Sequence, residues 1–278
     1  MIEVKGISKI FQTDNGRDQL LALDYVSLTI GAGAFVSLVG PTGCGKSTFL
    51  EILAGLQTPT IGEVCIEGKQ VLEPVPDDGG AGERPRRKYN FLPPFANSLF
   101  RDHQRHDVAM IFQDYTVFPW MTARQNILFT LKVRGVPKTE REDMVCHYLS
   151  LVDLEGAAHN YPSRMSGGMR QRLALARALA VEPKIILMDE PFAAVDALTR
   201  EKLQDDLLKI RGVAGTTVVL VTHDLREAAY LSDEIVVFSP SPGTILRQVP
   251  VRIPRPRLRV SDELNAVREE VLSIFKNN

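Results

Sequence analysis

Gly40-Pro41-Thr42-Gly43-Cys44-Gly45-Lys46-Ser47 fits GxxxxGK[ST], and its setting limits what the chain can fold into. Residues 34–39, just before it, are mostly apolar and read as a buried strand. Residues 46–54, just after it, carry apolar side chains at helical spacing and stop at Gly55. Glycines let successive backbone N–H groups point into the turn, and the helix that follows adds partial positive charge. The loop therefore suits phosphate, with Lys46 reaching the β- and γ-phosphates, the Ser47 hydroxyl on Mg²⁺, and Thr48 completing the contacting run. Cys44 reads as a small loop residue. A loop of this kind requires a parallel α/β sheet beneath it.

Two apolar runs, 185–188 and 218–221, suit the buried centre of such a sheet, and 108–112 and 235–238 add further strands. The first run ends in Asp189-Glu190. Ligands of parallel sheets collect at the carboxyl ends of strands, which places both acids beside the phosphate loop. Alternation along a strand gives Asp189 to the metal and Glu190 to a water, as general base. Upstream, residues 4–7, 26–30 and 63–67 alternate apolar and polar, as half-exposed antiparallel strands do. Residues 121–154 read mainly as helices, and a helix opening at Ser166 runs to Ala180. Leu264, Val267, Val271, Leu272 and Phe275 form one face of a last helix. The fold expected is α/β: a mixed sheet with a parallel centre, an N-terminal antiparallel β part and a helical subdomain at about 114–170, with a C-terminal extension over about 240–278.

A length of 278 residues with 44% apolar and 24% charged residues suffices for a core without disulfides, and a net charge of −1 argues against bulk nucleic-acid binding. Cys44, Cys65 and Cys146 lack metal-binding spacing and fit a reducing compartment. Residues 1–16 have no apolar signal core, and the uncharged stretch 25–45 is broken by glycines. The expectation is a soluble cytoplasmic protein that meets a membrane only through partners.

The remaining motifs are Tyr161-Pro162-Ser163-Arg164-Met165-Ser166-Gly167-Gly168-Met169-Arg170-Gln171-Arg172, ahead of Asp189, and Val221-Thr222-His223-Asp224 beyond it. Ser166 is a good N-cap, and Gly167 and Gly168 bare the first amides of a helix, which suit a γ-phosphate. Taken with the phosphate loop, in the order Gln113, Ser166-Gly167-Gly168, Asp189-Glu190, Asp196 and His223, this set resembles the ATP-binding cassette (ABC) ATPases. The resemblance implies the P-loop fold of that type, hydrolysis of ATP with Mg²⁺, and a head-to-tail dimer. Each ATP is then held between one subunit's loop, Gly40 to Thr48, and the other's Ser166, Gly167 and Gly168. It further implies Gln113 on Mg²⁺ or its water, His223 on the γ-phosphate, Asp196 across the dimer interface and Phe11 stacked on adenine. Phe11 also reads as an ordinary strand aromatic. Met169 stands where many members have Gln.

Phe118-Pro119-Trp120-Met121-Thr122, the run from Asp189 to Arg200, and Pro254-Arg255-Pro256-Arg257 look like the ATPase subunits of bacterial importers for nitrate, sulfonates and taurine. The implied partners are a second ATPase subunit, two transmembrane permease subunits and, indirectly, a solute-binding protein, with the chain peripheral at the cytoplasmic face of the cell membrane. The alternatives are a soluble ABC ATPase of DNA repair or translation, and a cassette that binds ATP without hydrolysing it. The former lacks its coiled-coil insertion or second cassette here, and Glu190 and His223 weigh against the latter. Residues 77–107, with six Lys/Arg against five Asp/Glu, depart from the group and read as a surface insertion. They are either a tolerated loop or, through Phe91-Leu92-Pro93-Pro94-Phe95, a docking segment.

Overall fold

The computed structural model describes residues 1–12, 19–72, 108–113, 117–193 and 195–277. The expected insertion at 77–107, with Phe91 to Phe95, lies outside them.

Two sheets form the frame. Strands β1 (Ile2–Gln12), β2 (Gln19–Ile30), β4 (Ile61–Ile66) and β5 (Lys69–Leu72) make an antiparallel sheet in the order β2-β1-β4-β5. Strands β3 (Phe35–Val39), β6 (Val108–Ile111), β7 (Ile185–Asp189), β8 (Thr217–Val221), β9 (Glu234–Phe238) and β10 (Ile245–Pro250) make the second, ordered β10-β9-β3-β8-β7-β6. All of its pairings are parallel except that of β10 with β9. The mixed sheet with a parallel centre and the antiparallel N-terminal part are as expected.

Side-chain alternation on the buried strands sorts the helices onto two faces. Val36, Leu38, Leu187, Val219 and Val221 pack with Phe49, Leu50 and Leu53 of α1 (Lys46–Leu53) and with Ile2, Val4 and Ile7 of the antiparallel sheet. Phe35, Ile186, Met188, Val218 and Leu220 face the other way. They pack with α2 (Ala123–Val133), α3 (Arg141–Leu151), α4 (Gly167–Leu179) and α5 (Ala197–Ala214). On that second side, α6 (Leu225–Leu231) and α7 (Asp262–Lys276) cover Val39, Ile235 and Val237. The helix after the phosphate loop and the helix after Ser166 thus lie on opposite faces of one sheet.

Some elements were not anticipated. β5, β10 and α6 are four to seven residues long, too short for a period to stand out. Within the C-terminal extension expected from about 240, β10 pairs with β9. On α7 the buried side chains are Leu264, Val271 and Ile274, while Leu272 is 40% exposed. Leu272 sits one residue past Val271, about 100° around the helix from it, so the expected face was drawn one position too wide.

Candidate nucleotide site

The phosphate loop leaves β3 at its carboxyl end and enters α1 at Lys46. Gly45 has φ +95°, and a Cβ there would stand 2.6 Å from the Ala22 carbonyl oxygen, so only glycine fits conformation and space together. Lys46 is buried, and its Nζ donates to the carbonyls of Gly40 (2.9 Å) and Pro41 (2.8 Å) and lies 3.5 Å from Cys44 Sγ. Those contacts pin the ammonium across the loop, with the Gly43 and Gly45 turns on either side of Cys44.

Ser47 Oγ donates to Asp189 Oδ1 at 3.1 Å. Burial pushes the Asp189 carboxyl above its ordinary range; the Ser47 hydroxyl and the Lys46 charge oppose that, and the neighbouring Glu190 reinforces it. Two hard oxygens from different elements so meet at the foot of the loop. Among the described residues no cluster of three or more His, Cys, Asp or Glu side chains could hold a metal unaided. The donor set fits Mg²⁺, which takes few protein ligands and completes its shell with phosphate oxygens and water.

Asp189 is the last residue of β7, so strand alternation does not separate the two acids as the sequence reading supposed. Glu190 is past the strand, in the left-handed region with φ +44°, its N–H held by the Val221 carbonyl at 3.0 Å. That conformation costs on the order of 1–3 kcal/mol for a non-glycine residue and persists only where its surroundings enforce it. It brings Glu190 Oε2 to 3.2 Å from Nδ1 of His223, which follows β8 with 64% of its side chain exposed. Gln113 is exposed two residues past β6, at the same edge of the sheet, since Ile111 pairs with Met188.

Ser166 caps α4 by accepting from the Met169 N–H at 3.2 Å. A backbone donor makes this cap, so the departure from Gln at 169 leaves it intact. Asp196 caps α5, and the Thr199 N–H at 3.0 Å holds its carboxyl below the usual range. Phe11 pairs with Leu20 across β1 and β2, with Lys9 Nζ 5.1 Å from its ring centre. Ala22 and Leu23, further along β2, abut Gly45.

The fold therefore gathers the phosphate loop, Asp189, Glu190, His223 and Gln113 at one sheet edge and leaves Ser166 to Gly168 with the helices of the other face. Unforeseen was α7: Leu272 and Phe275 join Gly40, Pro41 and His223 around a cleft of about 330 Å³. No local pattern in a helix fifty residues downstream points to that contact. In the sequence Arg200 stands out only as the last residue of the run from Asp189.

The ABC transporter family profile matches residues 23–193. An uncharacterized ABC transporter ATP-binding protein of Methanocaldococcus jannaschii is 40% identical over 276 residues, 99% of this chain and 91% of that protein. The nitrate import ATP-binding protein NrtC of Synechocystis is 40% identical over 262 residues, 93% of this chain but 34% of that much longer protein. Among solved structures, a dimeric ATP-binding cassette in a post-hydrolysis state with ADP and Pi superposes with a TM-score of 0.74 at 33% identity, covering 91% of this chain and all of that one. No helix among the described residues is long and apolar enough to cross a membrane. On these matches and this geometry, the chain belongs to the ABC transporter family and is an ATP-hydrolysing cassette of it.

Proposed function

We propose that this cassette is the ATPase subunit of an importer and drives uptake of a small solute, nitrate, sulfonate, taurine or similar, through membrane partners. The observation that carries the chemistry is the Glu190–His223 pair standing at the same sheet edge as the Ser47–Asp189 pair. The loop from Gly40 to Thr48 holds the phosphates through its backbone N–H groups, Pro41 excepted, and Lys46 turns from its carbonyl partners to the β- and γ-oxygens. Ser47 and Asp189, with Gln113, hold Mg²⁺, which when bound neutralises charge on those oxygens. Glu190 takes a proton from the attacking water, while His223, steadied by Glu190, orients the γ-phosphate and that water. Phe11 stacks on adenine.

The opposite-face arrangement supports the dimer. Ser166, Gly167 and Gly168 lie on the side of the sheet away from α1 and serve the ATP on a second subunit's loop, with Asp196 at the joint. Gln113, where the sheet passes into the helical part at about 114–170, relays between nucleotide and membrane partner. The importer assignment leans on the nitrate import relative and on the motif runs shared with that group. In this reading the chain is peripheral on the cytoplasmic face, bound to two permease subunits that work with a solute-binding protein.

The test is purification of the tagged chain from its own host's membranes in mild detergent. Recovery of a multi-span membrane protein, with a solute-binding protein in the same operating unit, supports the importer; recovery only with ribosomes or DNA overturns transport and leaves the ATPase chemistry.

A further inference from the structure

The Asp196 turn and the His223 loop belong to different elements, yet one side chain touches both. Arg200, in the first turns of α5, donates from Nη2 to the Val195 carbonyl at 2.9 Å, the residue just before Asp196. The other side of its guanidinium faces Glu227 of α6 and Asp224, which caps that helix, with Nε 3.7 Å from Glu227 Oε1 and Nη1 3.9 Å from Asp224 Oδ2. Glu227 is buried and accepts from the Thr222 hydroxyl at 2.7 Å; the same hydroxyl accepts from the Asp224 N–H at 3.0 Å. Thr222 and Asp224 flank His223. A hydrogen bond from Arg200 to Val195, an ion pair from Arg200 to Glu227 in which Nε makes no hydrogen bond, and a hydrogen bond from Thr222 to Glu227 therefore link the Asp196 turn to the residue that precedes His223.

We propose that Arg200 is a positioning residue that ties the Asp196 turn to the His223 loop through Glu227, so that movement at that turn resets the His223 imidazole against Glu190. The proposal rests on the reading that Glu190 and His223 act on ATP. Two features distinguish this from a surface ion pair. Glu227 is 7% exposed, so its carboxylate has little water to turn to if the guanidinium leaves. Arg200 also spreads its contacts over a fork, holding the Val195 carbonyl with Nη2 while Nε and Nη1 face the acids at 3.7 and 3.9 Å, a spread that the single nitrogen of a lysine does not reproduce. Burial raises the Glu227 carboxyl and the neighbouring Asp224 adds to that, while the Thr222 hydroxyl and the charge of Arg200 act against it.

Arg200→Lys keeps the charge and loses the fork. In the full chain, it is expected to lower kcat for ATP hydrolysis about 10- to 100-fold per folded molecule while KM for ATP stays within about twofold, as a small misplacement of a catalytic group does. Glu227→Gln should act in the same direction, and the double variant should be no slower than the slower single one, because both cut one path. Wild-type kcat in Arg200→Lys, or additive losses in the double variant, overturns the link, as does a lowered melting temperature with unchanged kcat per folded molecule. His223→Ala serves as the control. If it hydrolyses ATP at the wild-type rate, the reading of the site fails; if it is inactive while Arg200→Lys is fully active, the link alone fails.

Discussion

Nδ1 of His223 stands 3.2 Å from Oε2 of Glu190, and the contact exists because Glu190 occupies a left-handed backbone conformation at φ +44° just beyond β7. Glu190→Gln retains shape and a polar contact to the imidazole but removes the proton acceptor. Hydrolysis is expected to fall by about 10²- to 10⁴-fold, the usual contribution of a general base, with nucleotide affinity unchanged within a few-fold. Single-turnover hydrolysis and equilibrium binding on the same preparation check both halves. Turnover at the wild-type rate would falsify the assignment.

Lys46 separates binding from chemistry. Its Nζ is held inside the loop by the Gly40 and Pro41 carbonyls, and in the proposed function it turns from them to the phosphates. Lys46→Ala removes charge-assisted contacts of roughly 3 kcal/mol, so ATP affinity should weaken about 100-fold. Isothermal titration with a non-hydrolysable ATP analogue measures this, and an unchanged dissociation constant rules out the role.

Much of this site was legible in the residues because local chemistry dictates it. The loop spacing, the apolar strand ending at Asp189, and Ser166 ahead of two glycines each follow from a few adjacent positions, and in the structure the loop follows β3, Asp189 closes β7 and Ser166 caps α4. What was not legible depends on distant packing or on single-residue conformation. Nothing in the residues around Glu190 marks its left-handed turn, so alternation was assumed where the strand had already ended. The short strands β5 and β10 owe their existence to the edges they pair with, Val64 to Ile66 and Glu234 to Phe238. The approach of Leu272 and Phe275 of α7 to the cleft beside His223 depends on β10 and the segment after it, too far along the chain for any period to reveal.

Asp233 gives the fold a pH signature away from the nucleotide. Its carboxylate accepts from the Phe35 N–H at 2.8 Å and from Arg211 at 2.6 Å, and pairs with Arg255 of the C-terminal segment. Burial pushes its carboxyl up, but the Phe35 amide and the two guanidinium groups outweigh it and hold it below the ordinary range. A depressed folded value means the stabilisation is complete above the unfolded value of about 3.9 and is lost as pH falls through the folded one. Asp233→Asn should therefore cost about 2 kcal/mol at neutral pH, partial exposure limiting the loss. That gap should close below about pH 4, as the wild-type carboxyl protonates. Urea unfolding across the acid range measures it; a gap constant with pH contradicts the account.

Gly168 joins the Ser166 helix to the Asp196 turn by contact alone. A Cβ at 168 would lie 2.6 Å from Thr199 Cγ2, and Thr199 is the residue whose N–H caps onto Asp196. Because Thr is branched at Cβ, its methyl cannot swing aside without changing rotamer against the first turn of α5. Gly168→Ala should thus destabilise the chain by about 1–3 kcal/mol through overpacking, with some offset from the better helix propensity of Ala. Thr199→Ser deletes only the offending methyl, so in the Gly168→Ala background it should restore most of the loss. By itself it should cost little, since the backbone N–H that binds Asp196 is untouched. Thermal unfolding of the four proteins forms the cycle, and equal effects of Thr199→Ser in both backgrounds would show that the two residues do not meet as described.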